Sequence, residues 1–196
     1  MKEFTFSEIG IVHSEIVVLD DPRFRVLKRN IEQNNEDWRE QLVWDRRGTD
    51  YAVSLAITEK DEFILVKTPK YGQLAEMVEI PTSQMLKGES ANTAANRILT
   101  ERTGYKAIHW ADLGHTILYE SPDKIAGGQH HLRLGFNAKK VSDPNNCQLL
   151  LISRKQAEKI IDEKIIENKI EIAMSLSALL LAMRYLDRRH NGNNHS

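Results

Sequence analysis

Scarcity is the first thing this chain shows. One residue in 196, Cys147, is a cysteine. That excludes an intrachain disulfide, leaves no thiolate partner for a cysteine-rich metal site, and fits a reducing compartment such as the cytoplasm. An excess of one charge is also missing. Against 28 Asp and Glu stand 27 Lys and Arg, a formal net charge of -1, so no general attraction to nucleic acid or to an anionic membrane surface is expected. Long apolar runs are absent too. The most apolar run, 170–183, is interrupted by Glu171, Ser175 and Ser177, and it falls short of the roughly 20 apolar residues a membrane span needs. The opening MKEFTFSEIG lacks the basic start and apolar run of a signal peptide.

What remains is an ordinary globular composition, 41% hydrophobic and 28% charged, long enough to bury a core without covalent staples. Residues 1–50 read as an N-terminal β-rich portion, 51–190 as the main domain, and 191–196, NGNNHS, as a disordered tail. β-branched, partly alternating segments predict strands over 8–19, 24–31 and 41–45. They are separated by Asp20, Asp21 and Pro22 and by the polar EQNNED, and Arg46, Arg47 and Gly48 follow as a turn. Few large apolar residues lie among them, so the main body or a second copy is needed to cover their inner face.

YAVSLAIT at 51–58 and FILVK at 63–67 read as a hairpin through EKDE. Further strands are expected over 77–80, 109–119, 131–138 and 148–152, with a Pro- and Gly-rich loop at 120–130. Ser153 is placed to cap a helix running to about residue 164. A longer helix over 169–189 is apolar round most of its circumference, which predicts burial on more than one side. Strands, helix, strands and two helices, in that order, imply a mixed sheet with helices on its faces.

The most informative stretch is 79–105, EIPTSQMLKGESANTAANRILTERTGY. Residues 82–89 form a polar loop. Ser90 suits an N-cap, Ala94, Ala95, Ile98 and Leu99 share one helical face, and Gly104 suits the left-handed residue after the helix. Loop, charged helix and glycine stop fit a phosphate or metal site, and equally an ordinary surface helix.

The same stretch resembles the Nudix box, GX5EX7REUXEEXGU with U a bulky apolar residue. The register is Ser83, five residues, Glu89, seven residues, then Arg97, Ile98, Leu99, Thr100, Glu101, Arg102, Thr103, Gly104 and Tyr105. VKTPKYGQLAEMVEIP at 66–81, DPRFRV at 21–26, GHTILYESP at 114–122 and ENKIEIAMSLSALLLAM at 167–183 are similar to segments of ADP-ribose pyrophosphatase-type Nudix hydrolases. The resemblance covers about residues 8–186. It implies an α/β/α sandwich around a mixed sheet and a homodimer formed through the N-terminal strands. The implied ligand is a nucleoside diphosphate derivative, cleaved at the diphosphate by water with Mg²⁺ or Mn²⁺ if the protein is active.

This sequence departs from the pattern where the metal binds. The three acidic box positions hold Ile98, Glu101 and Arg102, so their charge is −1 + 1 = 0 where the pattern has −3. A guanidinium offers no lone pair and repels a cation. Thr82 and Ser83 replace the usual Ala-Gly, Val78 replaces an aromatic, and the loop DKIAGGQHH offers Asp123, His130 and His131 but no glutamate. Conventional Mg²⁺-dependent hydrolysis is therefore expected to be weak or absent, and a protein that binds nucleotides without turnover is the alternative.

Candidate residues follow with their competing readings. Glu101 is the remaining metal ligand or base, assisted by the Thr82 carbonyl, or else it pairs with Arg97 one turn away. Glu89 and Arg97 are catalytic and substrate-binding positions by resemblance, or a structural ion pair. Arg102, with Lys70 and Lys87, makes a metal-free phosphate site, or is a solvated arginine. Trp44 and Tyr51 flank an arginine-rich turn and stack an adenine, or belong to the core. His130 and His131, adjacent on a strand, face opposite sides, so at most one points into a cleft.

Overall fold

The computed structural model describes residues 11–22, 24–33, 36–45, 49–70, 75–116, 125–126, 128–145, 147–167 and 173–192. Expectations for the Arg46-Arg47-Gly48 turn, for Asp123, for residues 168–172 and for the last four residues of the tail lie outside them. The backbone contacts divide the chain into two units, 1–49 with 117–128, and 50–116 with 129–196.

The first unit is a four-stranded sheet in the order β1, β2, β3, β10. β1 (Ile11–Asp21), β2 (Phe24–Gln33) and β3 (Glu36–Asp45) pair antiparallel in sequence order, and β10 (Ile125–Ala126) adds parallel to the end of β3. β3 begins five residues before the expected Gln41, inside the polar segment read as a loop. A strand paired to β2 satisfies its backbone whatever its side chains, and polar residues cost nothing on a wet face. The same reason places β10 inside the segment 120–130 expected as a loop. Cross-strand ion pairs knit the sheet, Arg29 to Glu15 at 2.6 Å, Lys28 to Glu40 at 2.5 Å and Arg25 to Asp45, with a hydrogen bond between His13 Nε2 and Glu32 at 2.6 Å. Among the described residues, Leu27 and Val43 are its buried apolar side chains.

The second unit holds an eight-stranded mixed sheet. β4 (Tyr51–Thr58) runs through its middle, buried from Ala52 onward. The expected hairpin joins it to β5 (Glu62–Lys70), turning at Asp61 with φ 57°. β6 (Ala75–Glu79) pairs with β5, and β7 (Thr82–Gln84) with β4. β11 (His130–Lys140) runs parallel to β4 and antiparallel to β8 (Tyr105–Lys106) and β9 (His109–Thr116). β12 (Gln148–Ser153) closes the other side against β5.

Helix α1 (Ala91–Thr103) lies on one face. Ala94, Ala95 and Ile98 cluster with Ala52, and Leu99 packs with Ala56, Ile64, Ala107 and Ala138. Its ends are those the sequence proposes. Ser90 accepts from the Thr93 amide at 3.2 Å, and Gly104, at φ 73°, donates its N–H to the Thr100 carbonyl at 2.9 Å. α3 (Ala173–Gly192) covers the opposite face, where Tyr185 meets Phe136 with ring centroids 6.2 Å apart. The Ile80 amide donates to Ser175 Oγ at 3.0 Å. α2 (Arg154–Glu167) starts where expected, with Ser153 Oγ accepting from the Gln156 amide. Within one copy of the chain α3 buries a single stripe. Met174, Ala178, Leu179 and Ala182 are buried, but Leu180 and Leu181 are exposed. The helix buries one stripe because a single sheet face receives it. No helix among the described residues is long and apolar enough to cross a membrane.

Candidate functional site

The polar loop expected over 82–89 opens with a short strand, and only its remainder from Met85 is loop. Thr82 pairs with Val53, Ser83 with Ala52 and Gln84 with Tyr51. The edge of β4 would otherwise leave buried amides without partners, and three residues of ladder satisfy them. A turn through Gly88, at φ 78°, then brings Glu89 back toward the helix.

Glu89 and Arg97 join loop to helix. Arg97 Nε donates to Glu89 Oε1 at 2.9 Å and Nη2 to Oε2 at 2.8 Å, a bidentate pair. Glu89 also accepts from the Leu86 amide at 2.9 Å, and Arg97 Nη2 donates to the Gln84 carbonyl at 3.0 Å. Only 8% of the Glu89 side chain is exposed, against 24% for Arg97. The Arg97 hydrogen bonds, with the Leu86 amide, hold the Glu89 carboxyl below the usual carboxylate range despite burial. Glu89 in turn raises Arg97 further. Both carboxylate oxygens are thereby taken up in bracing the loop.

The three box positions point three ways. Ile98 is fully buried beneath the helix with Ala52, Ala94 and Ala95. Glu101 faces out, its side chain 56% exposed, and accepts from Arg97 Nη1 at 3.2 Å. Arg102 turns to β6, where Nη2 lies 3.5 Å from Glu79 Oε1. Glu79 is buried and accepts from Thr68 Oγ1 at 2.7 Å. Thr82 hydrogen-bonds locally, its Oγ1 donating to the Ile80 carbonyl at 3.0 Å.

A Mg²⁺ ion wants several oxygens at near-octahedral geometry. Here one box position is a core side chain, one carboxylate is engaged by an arginine, and the third position carries a positive charge. Among the described residues no three His, Cys, Asp or Glu side chains lie close enough to hold a metal ion. At the three box positions the described side chains offer a single carboxylate, that of Glu101.

The other candidates scatter. Tyr51 stacks on His130, with ring centroids 4.7 Å apart, and its hydroxyl accepts from Gln84 Nε2 at 3.0 Å. Trp44, in the first unit, is half exposed and stacks on Phe24 at 4.9 Å. The Lys70 side chain lies outside the described part, and Lys87 is exposed. His130 is buried, and His131 on the opposite face is partly exposed, as strand alternation requires. A shallow groove of about 610 Å³ follows the outer face of α1 between Asn92, Asn96, Arg97, Glu101, Lys106 and Trp110.

Two associations were not legible in the sequence. One is Arg102 with Glu79, 23 residues apart. The other is Asp50, which accepts from the Gln129 amide at 2.8 Å and lies 3.0 Å from His131 Nε2. The Gln129 amide, then His131, hold the Asp50 carboxyl below its usual range. Neither pair leaves a spacing signal, because each joins segments far apart in sequence that meet only in the folded structure: α1 with the end of β6, and the residue before β4 with the start of β11.

No protein-family profile matches the chain, and none of the curated proteins does. A solved structure does: the crystal structure of an ADP compounds hydrolase superposes with a TM-score of 0.75, covering 92% of this chain and 95% of that one at 18% sequence identity. An identity that low speaks for the fold alone: this chain shares the mixed α/β fold of that hydrolase.

Proposed function

We propose that this protein binds a nucleoside diphosphate derivative and does not carry out conventional Mg²⁺-dependent hydrolysis of it. The reading is carried by the divergence of Ile98 into the core, Glu101 to Arg97 and Arg102 to Glu79. The ligand class is supported by the resemblance of residues 66–105 to the ADP-ribose pyrophosphatase type and by the ADP compound named for the structural neighbour. Glu89 and Arg97 shape the loop rather than activate water. Any residual hydrolysis falls to Glu101, the one box carboxylate with solvent access.

ADP-ribose tests the reading. In EDTA it is expected to raise the melting temperature, because a ligand that binds only the native state stabilises it. With millimolar Mg²⁺ or Mn²⁺ no turnover is expected. A turnover rate on the order of 1–1000 s⁻¹ with either metal would refute the proposal.

A second copy covering the first unit is also proposed, supported by β1. This edge strand exposes Ile16, Val17, Val18 and Leu19 in succession, apolar on both of its faces. Sedimentation of the intact protein at micromolar concentration is expected to give a dimer, and a monomer there would exclude it.

A further inference from the structure

We infer that His115 and His131 form a binding site for a divalent transition metal ion of the class that imidazole nitrogens hold. The site is separate from the box positions and independent of the reading above.

Strand pairing brings the two residues together. β9 and β11 run antiparallel, and His115 stands directly opposite His131 in their register. Side chains opposed in this way leave the same face of the sheet side by side. The ring centroids are 6.3 Å apart, with the planes tilted by 49°. His130, one residue earlier, faces the other way and stacks on Tyr51.

His131 is prepared as a ligand. Its Nε2 lies 3.0 Å from Asp50 Oδ2. A carboxylate only accepts, so in the neutral ring the proton sits on Nε2 and the lone pair on Nδ1. Asp50 is fixed in turn, because its Oδ1 accepts from the Gln129 amide at 2.8 Å. A carboxylate on the far nitrogen is the outer partner that metal-bound histidines ordinarily have. Among the described residues His131 makes no other hydrogen bond. His115 is exposed and makes none, so both its nitrogens are open.

The spacing is that of a site closed by its ligand. With metal–nitrogen bonds of about 2.0–2.1 Å, two imidazoles on one tetrahedral ion hold their ring centres about 5 Å apart. The observed spacing is about 1 Å wider, and rotation of the exposed His115 closes it while Asp50 holds His131 still. Arg133, two residues along β11, is paired with Asp112, so its charge is compensated. Water completes the coordination, since two side chains and not three face the ion. Imidazole suits Cu²⁺ and Zn²⁺, whereas Mg²⁺ takes oxygen ligands. A bound ion joins the end of β9 to the start of β11 and, through Asp50, to the residue before β4. The chain passes between its two units next to all three, at 116–117, 128–129 and 49–50, so the ion holds those three strand ends of the second unit together.

Calorimetric titration of the full chain with Zn²⁺ at neutral pH tests the site. The parent is expected to bind Zn²⁺ and to give no heat with Mg²⁺. His115→Ala removes an exposed side chain and is expected to abolish that binding, while His109→Ala is expected to leave it unchanged. Asp50→Asn keeps both ligands and is expected to weaken binding about 10–100-fold. Equal affinity in His115→Ala and the parent would overturn the site, as would the absence of binding up to millimolar Zn²⁺. Asp50→Asn binding as tightly as the parent would reduce it to an adventitious surface pair and overturn the inference likewise. If Asp50→Asn does not fold, as circular dichroism would show, His115→Ala decides alone.

Discussion

Arg97→Met removes the guanidinium from the Glu89 brace while keeping most of the apolar stem. The structure sets the magnitude. Glu89, 8% exposed, loses two charge-assisted hydrogen bonds at 2.9 and 2.8 Å and keeps the Leu86 amide. Breaking a buried pair by deleting one member costs about 3–5 kcal/mol. Arg97 is 24% exposed, so water reaches part of the pair and the cost falls to about 2–3 kcal/mol. For a chain of this length that lowers the melting temperature by about 5–10 °C.

The assay is urea unfolding of the parent, Arg97→Met, Glu89→Gln and the double variant across pH. The pair should show a coupling of more than about 1 kcal/mol at neutral pH. Its pH dependence has a definite sign. The Glu89 carboxyl is held below its unfolded value. The stability it confers is therefore complete above the ordinary carboxylate range and is lost as the pH falls through the depressed folded value. Parent and Glu89→Gln should converge on the acid side. Coupling below about 0.3 kcal/mol, within the error of additive behaviour, would refute the reasoning.

Two other substitutions probe the same helix. Ile98→Glu puts a carboxylate where the parent side chain is 0% exposed, and it is expected to destabilise by more than about 4 kcal/mol or to prevent folding, read by circular dichroism. Gly104→Ala adds a methyl group 2.1 Å from the Ser142 carbonyl oxygen at a residue with φ 73°, and a loss of at least about 2 kcal/mol in urea unfolding is expected.

The Ile98 result bears on what sequence reasoning can do with a box of this kind. The spacing from Ser83 to Gly104 identifies the helix and both its caps. The resemblance also implies that Glu at positions 98 and 102 would rebuild a metal site. The structure shows that position 98 now belongs to the core beneath α1, against Ala52, Ala94 and Ala95. Restoring the motif there means unpacking the helix from the sheet. The hairpin of β4 and β5 and the cap of α2 at Ser153 were equally legible, because turn chemistry and capping are local. β3 from Glu36, β7 and β10 were not, because polar residues enter a strand only when a neighbouring strand offers an unpaired edge.

The sequence by itself determined the periodicities and the helix termini, since each follows from residue type and spacing along one segment, and it placed Ile98 and Arg102 where the resembled motif carries acids. Tertiary structure alone decided where the remaining charges go. Glu89 is consumed by Arg97, Glu101 is left outside, and Arg102 is drawn to Glu79 across the sheet. A charge goes to whichever partner lies closest when both are removed from water, and that distance is set by how α1 docks on β4, β5 and β6, which no one-dimensional pattern records.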